Sequence, residues 1–201
     1  MSTSRAALLD AATAEFAKHG LRGARIQDIV ARAGVNERMI YHHFGSKEKL
    51  YAAALVDRFA ELRAAWAPVL EKAVTMEPYE GMRFALSGFA DIIMDRPRLV
   101  GLWLHEALNG WRTLPLPTAD MLPSALSEIY ARGQKTGVFS KARPFELAHG
   151  TAMAAMFGMA VMAPRGEQIL RAGGPALDDD ATRRDLVLDQ LMNGMATPRA
   201  D

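Results

Sequence analysis

The stretch from Ile26 to Leu50 restricts the fold of this 201-residue chain more than any other part of it. Its first apolar residues recur at the spacing of one helical face, at positions 26, 29, 30 and 33. Gly34 follows directly, and glycine ends a helix easily because it adopts the left-handed conformation at little cost. The pattern therefore predicts a helix that ends in a tight turn.

A second short helix is predicted after this turn. Asn36 is a good N-cap, since its side-chain oxygen can accept a hydrogen bond from a backbone N–H. The helix would bury Ile40 and Phe44. Ser46 would then cap a longer helix, with Glu48 near the positive end of the helix dipole. Two short helices joined by a glycine turn form a helix-turn-helix pattern, whose second helix enters the major groove of DNA.

The composition limits the class of protein around this pattern. Apolar residues make up 50% of the chain, so a large core is expected and disorder is not. The absence of cysteine excludes disulfides, thiol catalysis and cysteine-based metal sites. No signal peptide is predicted, and the most apolar segment, residues 151–163, is shorter than the ~18 residues of a membrane helix. We therefore expect that segment to be a buried helix, and the protein to be cytoplasmic with no membrane partner.

The distribution of charge along the chain is more informative about possible partners than the net charge of +1. Residues 1–51 carry eight basic and five acidic side chains, which leaves a net charge of −2 on the remainder. A basic head on a slightly acidic body fits attraction to phosphate at one end of the molecule. An excess of this size also arises by ordinary scatter, so the charge alone does not decide the function.

Helical periodicity continues through the rest of the chain, and no alternating run is long enough for a strand. The sequence therefore predicts an all-α fold of about nine helices, with an N-terminal three-helix domain and a C-terminal helical bundle. Pro68 is expected to kink or end the fourth helix. Besides the two short helices above, the predicted helices cover residues 4–19, 46–72, 79–95, 97–110, 118–136, 144–163 and 178–195, with a loop at 164–177.

Three segments, in this order and spacing, carry a more specific pattern: ALLDAATAEFAKHG, DIVARAGV and IYHHFGSKEKLY. On these segments, residues 4–51 resemble the N-terminal domain of TetR/AcrR-type transcriptional regulators. The resemblance covers about a quarter of the chain, and the remainder matches only in its helical layout. It implies a helix-turn-helix DNA-binding domain at residues 1–50 and a ligand-binding and dimerisation domain at residues 51–201. It also implies a homodimer, a double-stranded DNA operator, and repression relieved by a small-molecule effector.

Two positions depart from the family pattern. Threonine usually stands at the start of the second helix, where it caps the helix and touches a phosphate, and here the residue is Arg25. Arginine has no acceptor and cannot cap, although it can still reach a phosphate. Asn36 stands where serine or threonine is common, and asparagine caps equally well.

Arg38, at the exposed start of the third helix, is the residue we expect to read a base, because arginine can bind guanine O6 and N7 with two hydrogen bonds. Glu37 could accept from cytosine N4, or could simply pair with Arg38. By the resemblance, Tyr41, His42 and Lys47 would hold backbone phosphates, although Tyr41 could also merely pack, and His43 is expected to bridge helices. The predicted DNA-binding residues are Arg25, Gln27, Asn36, Glu37, Arg38, Met39, Tyr41, His42 and Lys47.

Methionine and aromatic residues are frequent after residue 65 and can line an adaptable apolar pocket. At helical spacing such residues are also ordinary core, so both interpretations stay open. The predicted ligand-binding residues are Trp66, Phe89, Met94, Trp103, His105, Met121 and Met156. No catalytic motif is present, and we expect no enzyme activity, no cofactor and no metal.

Helices eight and nine are the predicted dimer surface, because a ridge of small residues permits close packing into a four-helix bundle across a two-fold axis. The alternative is that both helices close the core of one chain. The predicted interface residues are Ala152, Ala155, Met159, Leu188, Leu191 and Met192. The function expected is a homodimeric repressor released from a pseudo-palindromic operator by a small, largely apolar molecule. The alternative is a small-molecule-binding protein with a weak or vestigial DNA-binding head.

Overall fold

The structure is a computed structural model that describes residues 3–114, 122–170 and 180–197. Those residues form nine α-helices and no strand, apart from one isolated bridge between Phe139 and Ala196. The all-α prediction is therefore confirmed. The helices are α1 Thr3–Gly23, α2 Ile26–Ala33, α3 Arg38–Phe44, α4 Lys47–Val74, α5 Pro78–Met94, α6 Pro97–Leu108, α7 Ser124–Thr136, α8 Phe145–Leu170 and α9 Asp180–Met195.

The chain divides into two compact units. The first unit comprises Met1–Arg63 and Arg96–Leu116, and the second comprises Ala64–Asp95 and Pro117–Asp201. The first unit is thus larger than the predicted domain of residues 1–50, because the start of α4 and all of α6 pack with α1. The functional division at residue 50, into DNA binding and ligand binding, stays a prediction.

The core of the first unit forms around α1. Leu8, Ala12 and Phe16 are fully buried on its inner face, and they pack with apolar residues of α2, α3 and α4. α6 lies close against α1 at Gly101, where an added Cβ would stand 2.4 Å from the carbonyl oxygen of Ala17. Only glycine fits at that distance, so Gly101 permits the close approach of α6 to α1.

The core of the second unit contains a row of aromatic rings. The indole N–H of Trp66 donates to the carbonyl of Ala85 at 2.9 Å, and the Trp66 ring lies 4.6 Å from that of Phe89. Phe89 in turn contacts Phe157 of α8 at 6.0 Å between ring centroids. Buried residues of α9 complete this core beside α5 and α8.

Several predicted helix ends differ from the observed ones. Pro68 lies inside α4 and does not end it, and α8 continues past Pro164 to Leu170, where a loop was predicted. A proline removes one hydrogen bond from a helix, and in these long helices the turns on both sides maintain the helical path. α7 begins at Ser124 rather than at residue 118, directly after Pro123, which favours a helix start. Residues 171–179 and 115–121 lie outside the described part of the chain.

The prediction that the apolar segment 151–163 is a buried helix, too short to cross a membrane, is wrong. The segment Phe145–Ala163 has 19 residues and a mean hydropathy of 1.2, and only 17% of it is buried within the chain. By length and composition alone it could cross a membrane, but a single such helix is weak evidence, since helices of other kinds share that composition. Its exposed side chains include Leu147, Val161 and Met162.

Candidate nucleic-acid interface

The turn between α2 and α3 is built as its sequence predicts. Gly34 ends α2 in the left-handed conformation, with φ 65° and ψ 34°. The N–H of Val35 donates to the carbonyl of Val30 at 3.2 Å, which closes the end of the helix. The side-chain oxygen of Asn36 accepts the N–H of Arg38 at 2.9 Å, so the predicted cap is confirmed. The turn therefore fixes the direction in which α3 leaves α2.

α3 is held on its inner side by two buried anchors and on its rim by two residues of α1. Ile40 is fully buried and Phe44 nearly so. The guanidinium of Arg5 stacks over the Phe44 ring at 4.9 Å, and the hydroxyl of Ser4 lies 3.1 Å from Nε2 of His43. His43 thus bridges helices, as predicted.

Sequence reasoning missed the contributions of Ser4 and Arg5. They stand about forty positions before the groups they contact, and no local motif reports such a pairing. The only sequence signal is that both are polar residues in the first turn of α1, just before the apolar pair Leu8 and Leu9. Their contacts place the start of α1 beside the end of α3.

α2 is attached to α1 by an ion pair. Glu15, a mostly buried carboxylate of α1, lies 3.1 Å from the guanidinium of Arg32 and 3.8 Å from the imidazole of His19. Ile29 is fully buried beneath this pair. Arg32 is therefore engaged within the protein, whereas other cations of the helix-turn-helix face outward.

The outer face of α3 presents a polar surface. Arg38 is exposed, and its guanidinium has no ion-pair or hydrogen-bond partner among the residues that the structure describes. Glu37 does not pair with it, because the Glu37 carboxylate instead accepts the hydroxyl of Tyr41 at 3.3 Å. Tyr41 is 54% exposed and so does not serve as core. Met39 is half-buried against the core of the unit.

The start of α2 lacks a side-chain cap. Arg25 has the extended conformation of an N-cap residue, with φ −104° and ψ 137°, and its side chain makes no capping hydrogen bond. The predicted loss of the cap is confirmed. The exposed side chains of Arg25 and Gln27 lie at this end of α2.

The start of α4 is capped, and it carries the half-buried Lys47. The hydroxyl oxygen of Ser46 accepts the N–H of Lys49 at 3.2 Å. A backbone hydrogen bond at the helix start, and then one from Ser46, lower the pKa of Glu48. The negative charge of Glu48 thus complements the positive end of the helix, as predicted.

Comparison with known proteins identifies this architecture. The model of the family "Bacterial regulatory proteins, tetR family" matches residues 8–54. The chain is 31% identical over 188 residues to the HTH-type transcriptional repressor SCO4008 of Streptomyces coelicolor, which covers 88% of each chain. The chain belongs to the TetR family. It is therefore a DNA-binding transcriptional regulator and not an enzyme.

Two further relatives agree with this assignment. The TetR-family chain is 31% identical over 137 residues to the HTH-type transcriptional repressor NicS of Pseudomonas putida, covering 66% of this chain and 64% of that protein. A solved structure described as the molecular basis for control of antibiotic production by bacterial hormones superposes with a TM-score of 0.68 and 26% identity. That superposition covers 98% of this chain and 100% of the other.

The predicted ligand-binding residues of this TetR-family chain do not come together. Trp66, Phe89 and Met156 are packed in the core of the second unit. Met94 lines a cavity of about 510 Å³ in the same unit, together with Met159 and Met162. Trp103 packs edge-on against Trp111, and His105 lines a different cavity, both in the first unit. Met121 lies outside the described residues.

The structure places four of the six predicted dimer residues inside the chain's own core. Ala152 and Met192 are fully buried, and Leu188 and Leu191 are at most 9% exposed. Those four therefore offer little surface to a second copy. Ala155 and Met159 are half-buried. The alternative prediction was that α8 and α9 close the core of one chain, and it holds for the buried face of each helix.

Among the described residues, no group of three or more histidine, cysteine, aspartate or glutamate side chains is arranged to hold a metal ion. His42 and His43 stand side by side, with 4.9 Å between their ring centroids, but His43 already contacts Ser4.

Proposed function

We propose that the protein is a homodimeric repressor that reads a pseudo-palindromic operator through α3 and leaves it when a small, largely apolar molecule binds. The observation that carries this proposal is the outer face of α3. Arg38 is exposed and unpaired there, while Ile40 and Phe44 anchor the opposite side of the same helix. A rigid helix with an available guanidinium is what base recognition in the major groove requires.

The other polar residues of this face would set affinity and register. Tyr41, His42 and Lys47 surround the end of α3 and the start of α4, where they would bind backbone phosphates. The hydrogen bond from Tyr41 to Glu37 orients the phenol before DNA arrives. Gln27 and Arg25, at the start of α2, would meet the DNA edge beside them. Such contacts carry little sequence information, so specificity would depend mainly on Arg38.

The exposed face of α8 supports the homodimer. Leu147, Ala154 and Val161 are exposed at seven-residue intervals, and Gly150 and Gly158 stand between them with nothing within 4 Å of an added Cβ. These positions share one side of the helix, so the stripe is apolar and open to close approach. Isologous packing of two such stripes would bury it and give the two-fold symmetry that a pseudo-palindrome demands.

The cavity of the second unit supports a small-molecule effector. Three thioether side chains, from Met94, Met159 and Met162, give it an apolar wall. Four charged side chains also line it, those of Asp91, Asp95, Arg183 and Arg184, and Asp91 and Arg184 form an ion pair. A volume of about 510 Å³ lies in the range of small-molecule sites. The effector can release DNA only by binding more tightly to the state that does not fit the operator.

Selection of bound fragments from bacterial genomic DNA tests the proposal. We expect one site with two half-sites whose centres lie about 34–36 Å, or one helical turn, apart. Titration of that site should show one dimer per operator. Weak and salt-sensitive binding to every fragment would contradict the proposal, and would favour a small-molecule-binding protein with a vestigial head. We expect the protein to act in the cytoplasm, where the operator is.

A further inference from the structure

A cavity of about 300 Å³ lies wholly within the first unit, away from the predicted base-reading residues of α3. Its walls come from the end of α1, the start of α4, and the end of α6 with the residues that follow it. The lining residues are His19, Gly20, Leu21, Arg22, Tyr51, His105, Leu108, Asn109 and Arg112. Of its wall residues, His105 was predicted from the sequence to bind the effector, but the cavity is separate from the one proposed above for the effector.

A break in α1 makes room for the cavity. Gly20 has a φ of 66° and a ψ of 178°, which interrupts the helix three residues before its end. An added Cβ at Gly20 would stand 2.8 Å from Nδ1 of His105, so the imidazole of α6 lies directly against the glycine backbone. The break and the close approach of His105 together shape one wall of the cavity.

The walls carry positive charge and no acid. Arg22 and Arg112 are exposed at the cavity, and neither has an ion-pair partner among the residues that the structure describes. His19 and His105 add two further nitrogen groups. The buried carboxylate of Glu106 does not line the cavity, although its charge acts on Tyr51; it accepts the N–H groups of Thr113 and Leu114 at 2.9 and 2.7 Å.

Tyr51 supplies an unused hydrogen-bond donor. The side chain is 1% exposed, and its ring packs edge-on against Phe16 at 5.0 Å. Its hydroxyl makes no hydrogen bond with the residues that the structure describes, although it lines the cavity. Burial and the negative charge of Glu106 raise the pKa of Tyr51 to about 12, so the phenol keeps its proton and can donate it. The hydroxyl therefore stands at the cavity wall as a neutral donor that a ligand in the cavity can use.

We propose that this cavity is a binding site for a small organic anion, whose carboxylate is held by Arg22, Arg112 and the hydroxyl of Tyr51. Charged donors of this kind form strong hydrogen bonds to carboxylates. The side chains of Leu21 and Leu108 would cover a short hydrocarbon part, and Leu108 is 77% exposed at present. The site goes beyond the proposed operator and effector sites, and does not depend on either.

Isothermal titration calorimetry of the full chain with sodium benzoate tests the proposal, with ionic strength held constant by sodium chloride. Benzamide, a neutral molecule of the same shape, is the ligand control. We expect benzoate to bind and benzamide not to. Arg112→Gln and Tyr51→Phe should each weaken benzoate binding about tenfold, the value of one lost charge-assisted hydrogen bond.

Arg63→Gln is the matched control, since Arg63 is an exposed arginine of the same unit that does not line the cavity. Its affinity for benzoate should equal that of the unchanged protein. Tyr51→Phe retains the ring against Phe16, so its thermal unfolding without ligand should show an intact fold. No binding of benzoate, or equal loss in all three variants, would overturn the proposal.

A second experiment, with operator DNA, distinguishes binding of a small anion at this site from binding of DNA phosphates by the same arginines. The same variants, and Arg22→Gln, are titrated with operator DNA over a range of salt. Unchanged DNA affinity supports a separate small-molecule site. If Arg22→Gln and Arg112→Gln weaken binding to all sequences and flatten the salt dependence, while benzoate does not bind, the arginines serve DNA phosphates and the proposal is overturned.

Discussion

Among the residues that the structure describes, α3 and α8 each have an exposed face, and the chemistry of the two faces is opposite. The α3 face is polar, short, and fixed by caps and anchors at every turn. The α8 face is the stripe of Leu147, Gly150, Ala154, Gly158 and Val161, and it spans about four turns. A polar face that water satisfies is stable without a partner, whereas an exposed apolar stripe of this size is typical of an interaction surface. On this difference rests our proposal that α3 serves recognition and α8 serves assembly.

The largest effect is expected from a charge in the α8 stripe. Ala154→Arg would bury a guanidinium without a partner in the proposed interface, which costs about 3–5 kcal/mol. The dimer dissociation constant should therefore rise by two orders of magnitude or more, on the scale of about 1.4 kcal/mol per tenfold. Sedimentation velocity over a range of concentrations measures it.

Glu146→Arg is the matched control for this change. Glu146 is exposed on the same helix but lies about a quarter turn away from the stripe. Its variant should remain dimeric. If both variants sediment as the unchanged protein does, the α8 stripe is not the dimer surface. The proposed contrast between a DNA-reading α3 and a dimerising α8 would then be wrong for α8.

A smaller and more specific effect is expected on α3. Arg38→Ala removes the proposed contact to one base, which should cost about 1–3 kcal/mol and relax preference at that position alone. Fluorescence anisotropy with operators changed one base pair at a time measures both quantities. An unchanged preference at every position would show that Arg38 reads no base.

Lys47→Ala provides the contrast within the same face. A phosphate contact acts alike on all sequences, so this variant should weaken every operator equally and lower the salt slope by about one unit. If the two variants gave the same pattern, base reading and phosphate binding would not be divided between the start and the end of this face.

The two faces also differ in how far the sequence could predict them. Caps and turns are local, so Gly34, Asn36 and the missing cap at Arg25 could all be read from neighbouring residues. Burial is not local. An apolar helix has the same composition whether its neighbour is its own core or a second chain, and α8 was predicted buried for that reason.

The dimer residues illustrate the same limit. Ala152 and Leu188 were chosen as small or apolar members of the last helices, yet both face inward. The exposed stripe of Ala154 and Leu147 lies on the other side of α8, and only packing against α5 and α9 decides which side that is. The predicted ligand residues likewise belong to different units, since Trp103 and His105 of α6 lie in the first unit and Trp66 and Phe89 lie in the second.

A modest effect is expected where the capping of α2 departs from the family. Arg25 has the backbone conformation of an N-cap, so Arg25→Thr supplies an acceptor without changing φ or ψ. We expect the free energy of unfolding to rise by about 1 kcal/mol. Arg25→Val, which has the shape of threonine but no acceptor, is the control, and chemical denaturation compares the two. Equal stability of both variants would mean that the start of α2 needs no cap.

The smallest effect concerns the inner side of α8, and it depends on pH. His149 is half-buried beside Phe145, its Nε2 has no hydrogen-bond partner, and burial lowers its pKa below the ordinary value of 6.5. The unfolded chain therefore binds the proton more readily, so this contribution to stability is complete above about pH 6.5 and is lost as the pH falls below it. Among the residues that line the gap around His149, Tyr130 is the other titrating group, and burial raises its pKa, so it stays neutral throughout this range.

His149→Leu should remove this acid-sensitive part while the rest of the pH profile is retained. Denaturation of both proteins at several pH values below 7 measures the difference. The leucine also removes the unpaired Nε2 of His149, so the variant should be at least as stable at neutral pH. A variant whose stability falls with acid as steeply as that of the unchanged protein would show that the inner face of α8 is not desolvated at His149. That result would contradict the claim that the inner face of α8 is shielded from water, while leaving the apolar outer face untested.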